Sequence, residues 1–393
     1  AGCKKPMKRL WISSMEEQAI KDGFASLKDG SCYDSLYQSA LCRAKADWLV
    51  GINASRLFSV LYNQNLKVGR VQTPTLAMIV DRNQKIKEFT KEKYYMAHIK
   101  FDEMDAVTEH FQKKEDADRV AADCMERMCE VEKDDVKEKT VRPPKLYDLT
   151  TLQREANRMF GYTAQQTLDA VQEMYEQKLV TYPRTDSQYL TDEMGESTET
   201  LIQMLFGKMP YAEGLEYQPD VSKVLNSKKV SDHHAIIPTG VPARNLTDTE
   251  RKVYDLVARR FIAAFYPDCE ISTTTVLGQV DKVEFKVTGK QILKPGWRVV
   301  FGAEQKDPEA EPTEEEGVLP DFVKGESGPH KPILKETWTQ PPKPYTEATL
   351  LRAMETAGKL VDNDELREAL KENGIGRPST RAAIIETLFK RNY

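Results

Sequence analysis

Four stretches place polar side chains where a simple fold would not need them. In LVTYPRTDS, residues 179–187, a phenol, a guanidinium and a carboxylate take every second position as Tyr182, Arg184 and Asp186. Alternate side chains of an extended segment leave the same face, and Pro183 biases Tyr182 toward extended backbone. The three groups can therefore share one surface. Taken alone, the triplet is also explained by a short strand with a half-buried tyrosine and a solvated ion pair. In VGRVQTPTL, residues 68–76, Arg70, Gln72 and Thr73 surround a glycine turn at a helix start. Backbone N–H groups there, with an arginine beside them, make a phosphate site; a plain cap with a surface arginine is the other reading. GIGRPSTRAAIIETL, residues 374–388, repeats the device with Arg377, a Ser379 or Thr380 cap, and Arg381 in the first turn. Basic residues at a helix start oppose the helix dipole, a cost that a bound anion would offset. SDHHAIIPTG places His233 and His234 before an apolar run, two of the five histidines in the chain. With no carboxylate or cysteine partners at ligand spacing, they are weak metal candidates.

These residues need elements to hold them. RLWIS reads as a short strand and MEEQAIKDGFASL as a helix. A long helical region, roughly Tyr33 to Glu88, shows apolar residues at helical spacing and is broken near Gly69 and Pro74. A new helix is expected near Thr73 with Pro74 at its first position. From about Lys93, YYMAHIKF, AVTEHFQ and VEKDDVKEKTVRPP read as strands around the helix KEDADRVAADCMERM. DLTTLQREANRMFGY reads as a helix stopped at Gly161, and TAQQTLDAVQEMYEQK as a helix capped by Thr163. The tyrosine motif follows as a strand, an order resembling a winged helix. TDTERKVYDLVARRFIAAF is a further helix. ISTTTVLGQV, VEFKVTGK and GWRVVFG read as strands, and two C-terminal helices begin at Thr346 and near Ser379. The order helical, strand, helical, strand, helical suggests domains entered and left twice.

At 393 residues the chain can hold two to four domains. Its 30% charged and 40% hydrophobic composition is that of an ordinary globular protein. No apolar run approaches the roughly 20 residues that span a bilayer, so no membrane partner is expected. Six scattered cysteines without a CxxC pair point to a reducing cytoplasm and away from structural zinc. The net charge is −5, but residues 303–328 hold nine acids and two lysines, so the remainder is slightly basic. Local basic patches matter more than net charge for a phosphate backbone. The acidic stretch itself reads as a surface loop.

Taken together, ADWLVGINASR (46–56), VGRVQTPTL (68–76), LVTYPRTDSQYL (179–190), HHAIIPT (233–239), PPKPYTEATLLRAME (341–355) and GIGRPSTRAAIIETLFKR (374–391) resemble the signatures of type IA DNA topoisomerases, with the flavour of the bacterial topoisomerase III group. Six motifs in order over nearly the whole chain are far more specific than any one. The resemblance implies a mixed α and β, multidomain toroidal fold. Residues 1–35 would be the remnant of a toprim domain and a linker. Residues 36–89 and 339–393 would form a helical domain that grips DNA. Residues 90–144 and 269–338 would form a β-rich arch, with the acidic loop 303–328. Residues 145–268 would form a winged-helix-like gate carrying the tyrosine. It implies that Tyr182 attacks a phosphodiester and becomes joined to the 5′ phosphate, that a strand passes, and that the break reseals without ATP. A free phenol has a pKa near 10, so ionising it at neutral pH costs about 4 kcal/mol. Arg184 would offset part of that cost, and His233 would contact the phosphate or assist proton transfer. Arg56, Arg70, Gln72, Thr73, Asp186, Arg377, Thr380 and Arg381 would contact DNA, Asp186 by orienting Arg184 or its neighbours.

The chain departs from the family pattern in one large respect. The acidic toprim domain, with its glutamate and D-x-D-x-x-G-E motif, is expected ahead of these motifs, and no such motif occurs here. The sequence reads as a fragment beginning at that domain's last strand, KRLWIS. The magnesium ligands and catalytic lysine of the family are then missing, and no zinc is expected. Binding of single-stranded DNA with little complete relaxation or decatenation is the resulting expectation, for a monomer in a bacterial, nucleoid-associated cytoplasm, with a helicase as a further candidate partner. Lys67 stands where serine is common. A non-catalytic single-strand-binding module is the main alternative. A tyrosine recombinase would carry its tyrosine near the C-terminus, and a winged-helix regulator would prefer a duplex sequence.

Overall fold

The computed structural model describes residues 5–12, 17–101, 104–125, 127–206, 220–280, 283–302, 319, 324–325, 327–360 and 374–393. In chain order the first elements are β1 (Lys8–Arg9), α1 (Glu17–Ala25), β2 (Lys28–Asp29), α2 (Asp34–Tyr62) and α3 (Gln72–Lys87). Then come β3 (Lys93–Phe101), β4 (Met104–Val107), α4 (Lys114–Cys124), β5 (Met128–Val141), α5 (Leu149–Phe160), α6 (Ala164–Glu176), α7 (Gly195–Phe206) and α8 (Asp248–Ala263). The series ends with β6 (Cys269–Val280), β7 (Val283–Lys294), β8 (Ser327–Pro329), β9 (Lys331–Trp338), α9 (Glu347–Glu355) and α10 (Pro378–Lys390). The chain divides into two compact units: residues 1–83, 144–265 and 344–393, and residues 84–143 and 266–343. The acidic stretch expected to be a surface loop lies almost wholly outside the described residues.

The first unit is helical, and its core is the buried face of α5, α6, α8, α9 and α10. Local sequence explains where these helices begin and end. Asp148 caps α5 by accepting from Thr151 N (2.7 Å), and Gly161 ends that helix at φ 70. Thr163 with Gln166, and Thr247 with Glu250, close reciprocal capping boxes at α6 and α8. The start of α10 departs from expectation: Arg377 is the N-cap residue, Pro378 follows it, and neither Ser379 nor Thr380 supplies a side-chain cap. The chain enters α10 through Gly374, at φ +59, where a Cβ would fall 2.3 Å from Met354 O. Ile375 N donates to that same carbonyl at 2.7 Å. Only glycine allows the loop to hug the end of α9 this closely. One ion pair is buried in this core, Arg260 NH2 to Glu155 Oε2 at 2.8 Å, with Arg260 also 4.4 Å from the Tyr147 ring centre.

The second unit is a seven-stranded antiparallel sheet in the order β8-β5-β6-β7-β4-β3-β9. Its small core gathers Ala97, Ile99, Cys124, Val280 and Phe285, with Val120 of α4 packed against it. GWRVVFG, expected as a strand, is instead a 3-10 helix over Gly296–Phe301. Gly296 sits at φ +51 with no room for a Cβ beside Asp268 O, and the Trp297 indole N–H donates to Val141 O at 3.0 Å. That anchor fixes a tight turn that β-rich composition does not reveal. RLWIS also differs from expectation: among its described residues only Arg9 pairs, with Lys28, next to the Lys8 pair with Asp29.

Candidate active site

Residues 179–190 form an extended segment rather than a ladder strand. It makes only isolated bridges, Val180 to Pro238 and Leu190 to Leu225, and bends at Pro183 and Arg184. The expected alternation survives nonetheless. Pro183, Thr185 and Ser187 are buried, Arg184 and Asp186 are exposed, and Tyr182 is half-buried. Side-chain hydroxyls take the place of a ladder. Thr181 Oγ1 donates to Ala235 O and accepts from Ile237 N, each at 3.0 Å. Thr185 Oγ1 donates to His233 O at 2.7 Å, while Thr185 O accepts from Leu149 N at 3.1 Å. The tyrosine motif is thereby tied both to the histidine motif and to the start of α5.

The ring of Tyr182 lies 4.3 Å from that of His233 and meets Tyr175 of α6 edge-on at 5.4 Å. His233 thus packs on the phenol ring. Arg184 NH1 donates to Gln172 Oε1 of α6 at 2.6 Å, and Asp186 Oδ1 accepts from Ser231 Oγ at 3.1 Å. Beside these residues opens a cleft of about 590 Å³. Arg43, Arg70, Arg184 and Arg377 line it with Asp186, Asp232 and His233, an excess of two positive charges with His233 neutral. Ser379, Thr380 and Ser231 add hydroxyls. Arginine and hydroxyl side chains of this kind are the groups that pair with phosphate oxygens.

Residues 31–393 match the family model described as DNA topoisomerase. The chain belongs to the type IA DNA topoisomerase family. It is 42% identical to DNA topoisomerase 3 of Bacillus cereus (strain ATCC 14579), over 98% of this chain and 55% of that protein. It is 39% identical to DNA topoisomerase 3 of Bacillus subtilis (strain 168), over 99% of this chain and 56% of that protein. Among solved structures it matches full-length topoisomerase I from Thermotoga maritima with a TM-score of 0.71 and 27% identity, covering 98% of this chain and 61% of the other. The chain therefore spans about half the length of the curated relatives it matches.

Within this family member, the cleft unites motifs far apart in sequence: Arg70, Arg184, Asp186, His233, Arg377 and Thr380 all line it. Arg70 is partly neutralised there by Asp47 of α2, which accepts from its NH2 at 2.9 Å. Gln72 does not stand free for DNA, since its Nε2 donates to Lys67 O at 3.0 Å and its Oε1 accepts from Arg391. Thr73 is exposed, and its Oγ1 accepts from Gly69 N at 3.0 Å, which leaves its O–H free to donate. Arg56 is exposed on α2 and is not among the cleft residues. Arg381, expected to contact DNA, is 2% exposed, with Nε donating to Ile375 O at 3.2 Å and NH1 to Thr150 Oγ1 at 3.2 Å. The fourth residue of α10 is thus buried within the helical unit.

Arg43, Ser231 and Asp232 were not picked out by the motif reading. Arg43 precedes Asp47 by one helical turn, and that spacing toward the partner of Arg70 was the available signal. Among the described residues no group of three or more His, Cys, Asp or Glu side chains is arranged to hold a metal ion. The described residues therefore do not fit a magnesium site. Among them, too, no helix is long and apolar enough to cross a membrane.

Proposed function

We propose that this chain supplies the nucleophile and the phosphate-binding cleft of an enzyme that cuts and reseals one DNA strand. The supporting observation is the Tyr182 phenol ring packed against the His233 ring, centres 4.3 Å apart, beside a cleft lined by four arginines. In this reading the cleft holds a single strand. The Tyr182 oxygen attacks a phosphodiester, the bond from phosphorus to the 3′ oxygen breaks, and the protein becomes joined to the 5′ phosphate. The phenol loses its proton and the departing 3′ oxygen gains one, with His233 placed to contact the phosphate or assist that transfer. Arg184 and Arg377 stabilise the charge that crowds onto the phosphate oxygens. The phosphotyrosine ester retains the energy of the broken bond, so the reverse attack reseals the strand without ATP. Relaxation or decatenation by the complete protein, a magnesium-carrying acidic domain, a helicase partner and a nucleoid location belong to the same proposal.

The test uses a single-stranded oligonucleotide labelled at its 3′ end, and a second labelled at its 5′ end. Each is mixed with the chain alone, and with a separately made toprim domain plus magnesium, then quenched with denaturant. A protein-linked 3′-labelled fragment that vanishes in Tyr182→Phe is the expected result. Tight binding with no adduct under either condition would leave a non-catalytic DNA-gripping module.

A further inference from the structure

A second basic site lies within the same helical unit, outside the cleft. Lys145 Nζ and Lys229 Nζ sit 5.2 and 4.8 Å from the centre of one ring, that of Tyr189, and Lys229 Nζ is 3.4 Å from its hydroxyl. Among the described residues neither lysine forms an ion pair with a carboxylate. Two exposed ammonium groups thus share one aromatic partner, and a ring face satisfies a charge less well than a carboxylate does. An anion bound beside the ring would give both lysines the charged partner they lack. Burial pushes the Tyr189 phenol up, but hydrogen bonds and charge from both lysines outweigh it, so its pKa lies below the ordinary value. The local field therefore favours negative charge at this position.

The site is built rather than incidental. Ser187, 3% exposed, donates from Oγ to Lys229 O at 2.9 Å and accepts from Tyr189 N at 3.1 Å. One buried hydroxyl thus fixes the backbone of both residues. It is also one rung of a series. Thr185 bonds to His233, Asp186 to Ser231, and Ser187 to Lys229, so two segments run side by side from the cleft to Tyr189. Because ammonium groups stand over the ring, a nucleobase would have to displace them before stacking; a phosphate fits the site as it stands.

We infer that Lys145, Tyr189 and Lys229 hold a backbone phosphate of the single strand where it leaves the arginine-lined cleft. This rests on the DNA-cleaving reading above and extends it from a cleft to a path. The test measures binding of a fluorescent single-stranded oligonucleotide across a range of salt for the unaltered chain, for Lys145→Gln with Lys229→Gln, and for Tyr189→Phe. Surface lysine to glutamine changes should leave thermal unfolding unmoved. The double variant should bind more weakly at low salt, with a slope of log affinity against log salt shallower by about 0.7, the value for one single-strand phosphate. Tyr189→Phe should weaken binding less and keep the slope. An unchanged slope in the double variant overturns the site while the cleft reading stands. If the unaltered chain shows no salt-dependent binding, the cleft reading itself fails and takes this site with it. Inorganic phosphate, added at constant ionic strength, should leave the difference between unaltered and double-variant chains in place. Its abolition would assign the site to free phosphate instead and overturn the proposal.

Discussion

Arg184 is held by Gln172, its NH1 donating to Oε1 at 2.6 Å. To serve a phosphate beside Tyr182, its guanidinium must exchange one neutral acceptor for a charged one, and charge-assisted bonds are roughly twice as strong. The exchange is favourable once a strand is present. Arg184→Ala should therefore lower the yield of covalent adduct by about 100-fold or more, while oligonucleotide binding falls far less. Gln172→Ala, which only releases the arginine, should leave the yield unchanged or raise it. Equal loss in both variants would make Arg184 a structural partner of α6. The alternating exposure of 183–187 was legible in the sequence because an extended backbone imposes it whether or not a ladder forms. What the sequence could not show is which partner each polar group takes. Gln72, Thr73 and Arg381 carry the same donors and acceptors whether they face DNA or their own fold, and in this structure each makes bonds within the fold.

At the scale of elements, α5 concentrates the buried polar groups. Glu155 on α5 pairs with Arg260 on α8, both within the core. Removing one partner strands the other charge out of water, so Glu155→Ala should destabilise the helical unit by about 3–5 kcal/mol. Urea unfolding followed by helix circular dichroism measures this, and a loss under 1 kcal/mol would show that water reaches the pair. Asp148, at the cap of the same helix, behaves differently with pH. Burial raises its carboxyl above the ordinary aspartate value, against the bonds from Thr151 and Gln188 that pull it down. A carboxyl raised on folding holds its proton more tightly in the folded chain than in the unfolded one. Its contribution to stability is then full in acid and is lost as pH rises through the folded value. Asp148→Asn keeps a capping oxygen and removes that loss, so relative to the unaltered chain it should gain stability between about pH 4 and neutrality. Unfolding curves at several pH values check this; a constant difference would contradict it. The helix starts at Thr163 and Thr346 were readable because their caps are local chemistry. The start of α10 was not, because Pro378 and the Gly374 loop set it through the end of α9, a contact remote in sequence.

At the scale of the molecule, neither compact unit is a continuous stretch of chain. The sheet unit closes only when residues 84–143 meet 266–343, as in the pairing of β5 with β6 and of β3 with β9. Alternation of strand-like and helix-like texture made this interleaving legible, whereas the pairing order did not follow from any single stretch. Each unit has its own buried core, and cores that share few residues need not unfold together. Trp297, 6% exposed and bonded to Val141, reports on the sheet unit, while Trp11 and Trp48 are 49% and 64% exposed. Helical circular dichroism reports chiefly on the other unit. In a denaturant titration the fluorescence change that disappears in Trp297→Phe should have a midpoint distinct from that of the helical signal. Coincident midpoints at every temperature tried would mean that the two cores stand or fall as one cooperative body. Any account of cleavage in which the sheet unit stays folded while the helical unit rearranges would then have to be abandoned.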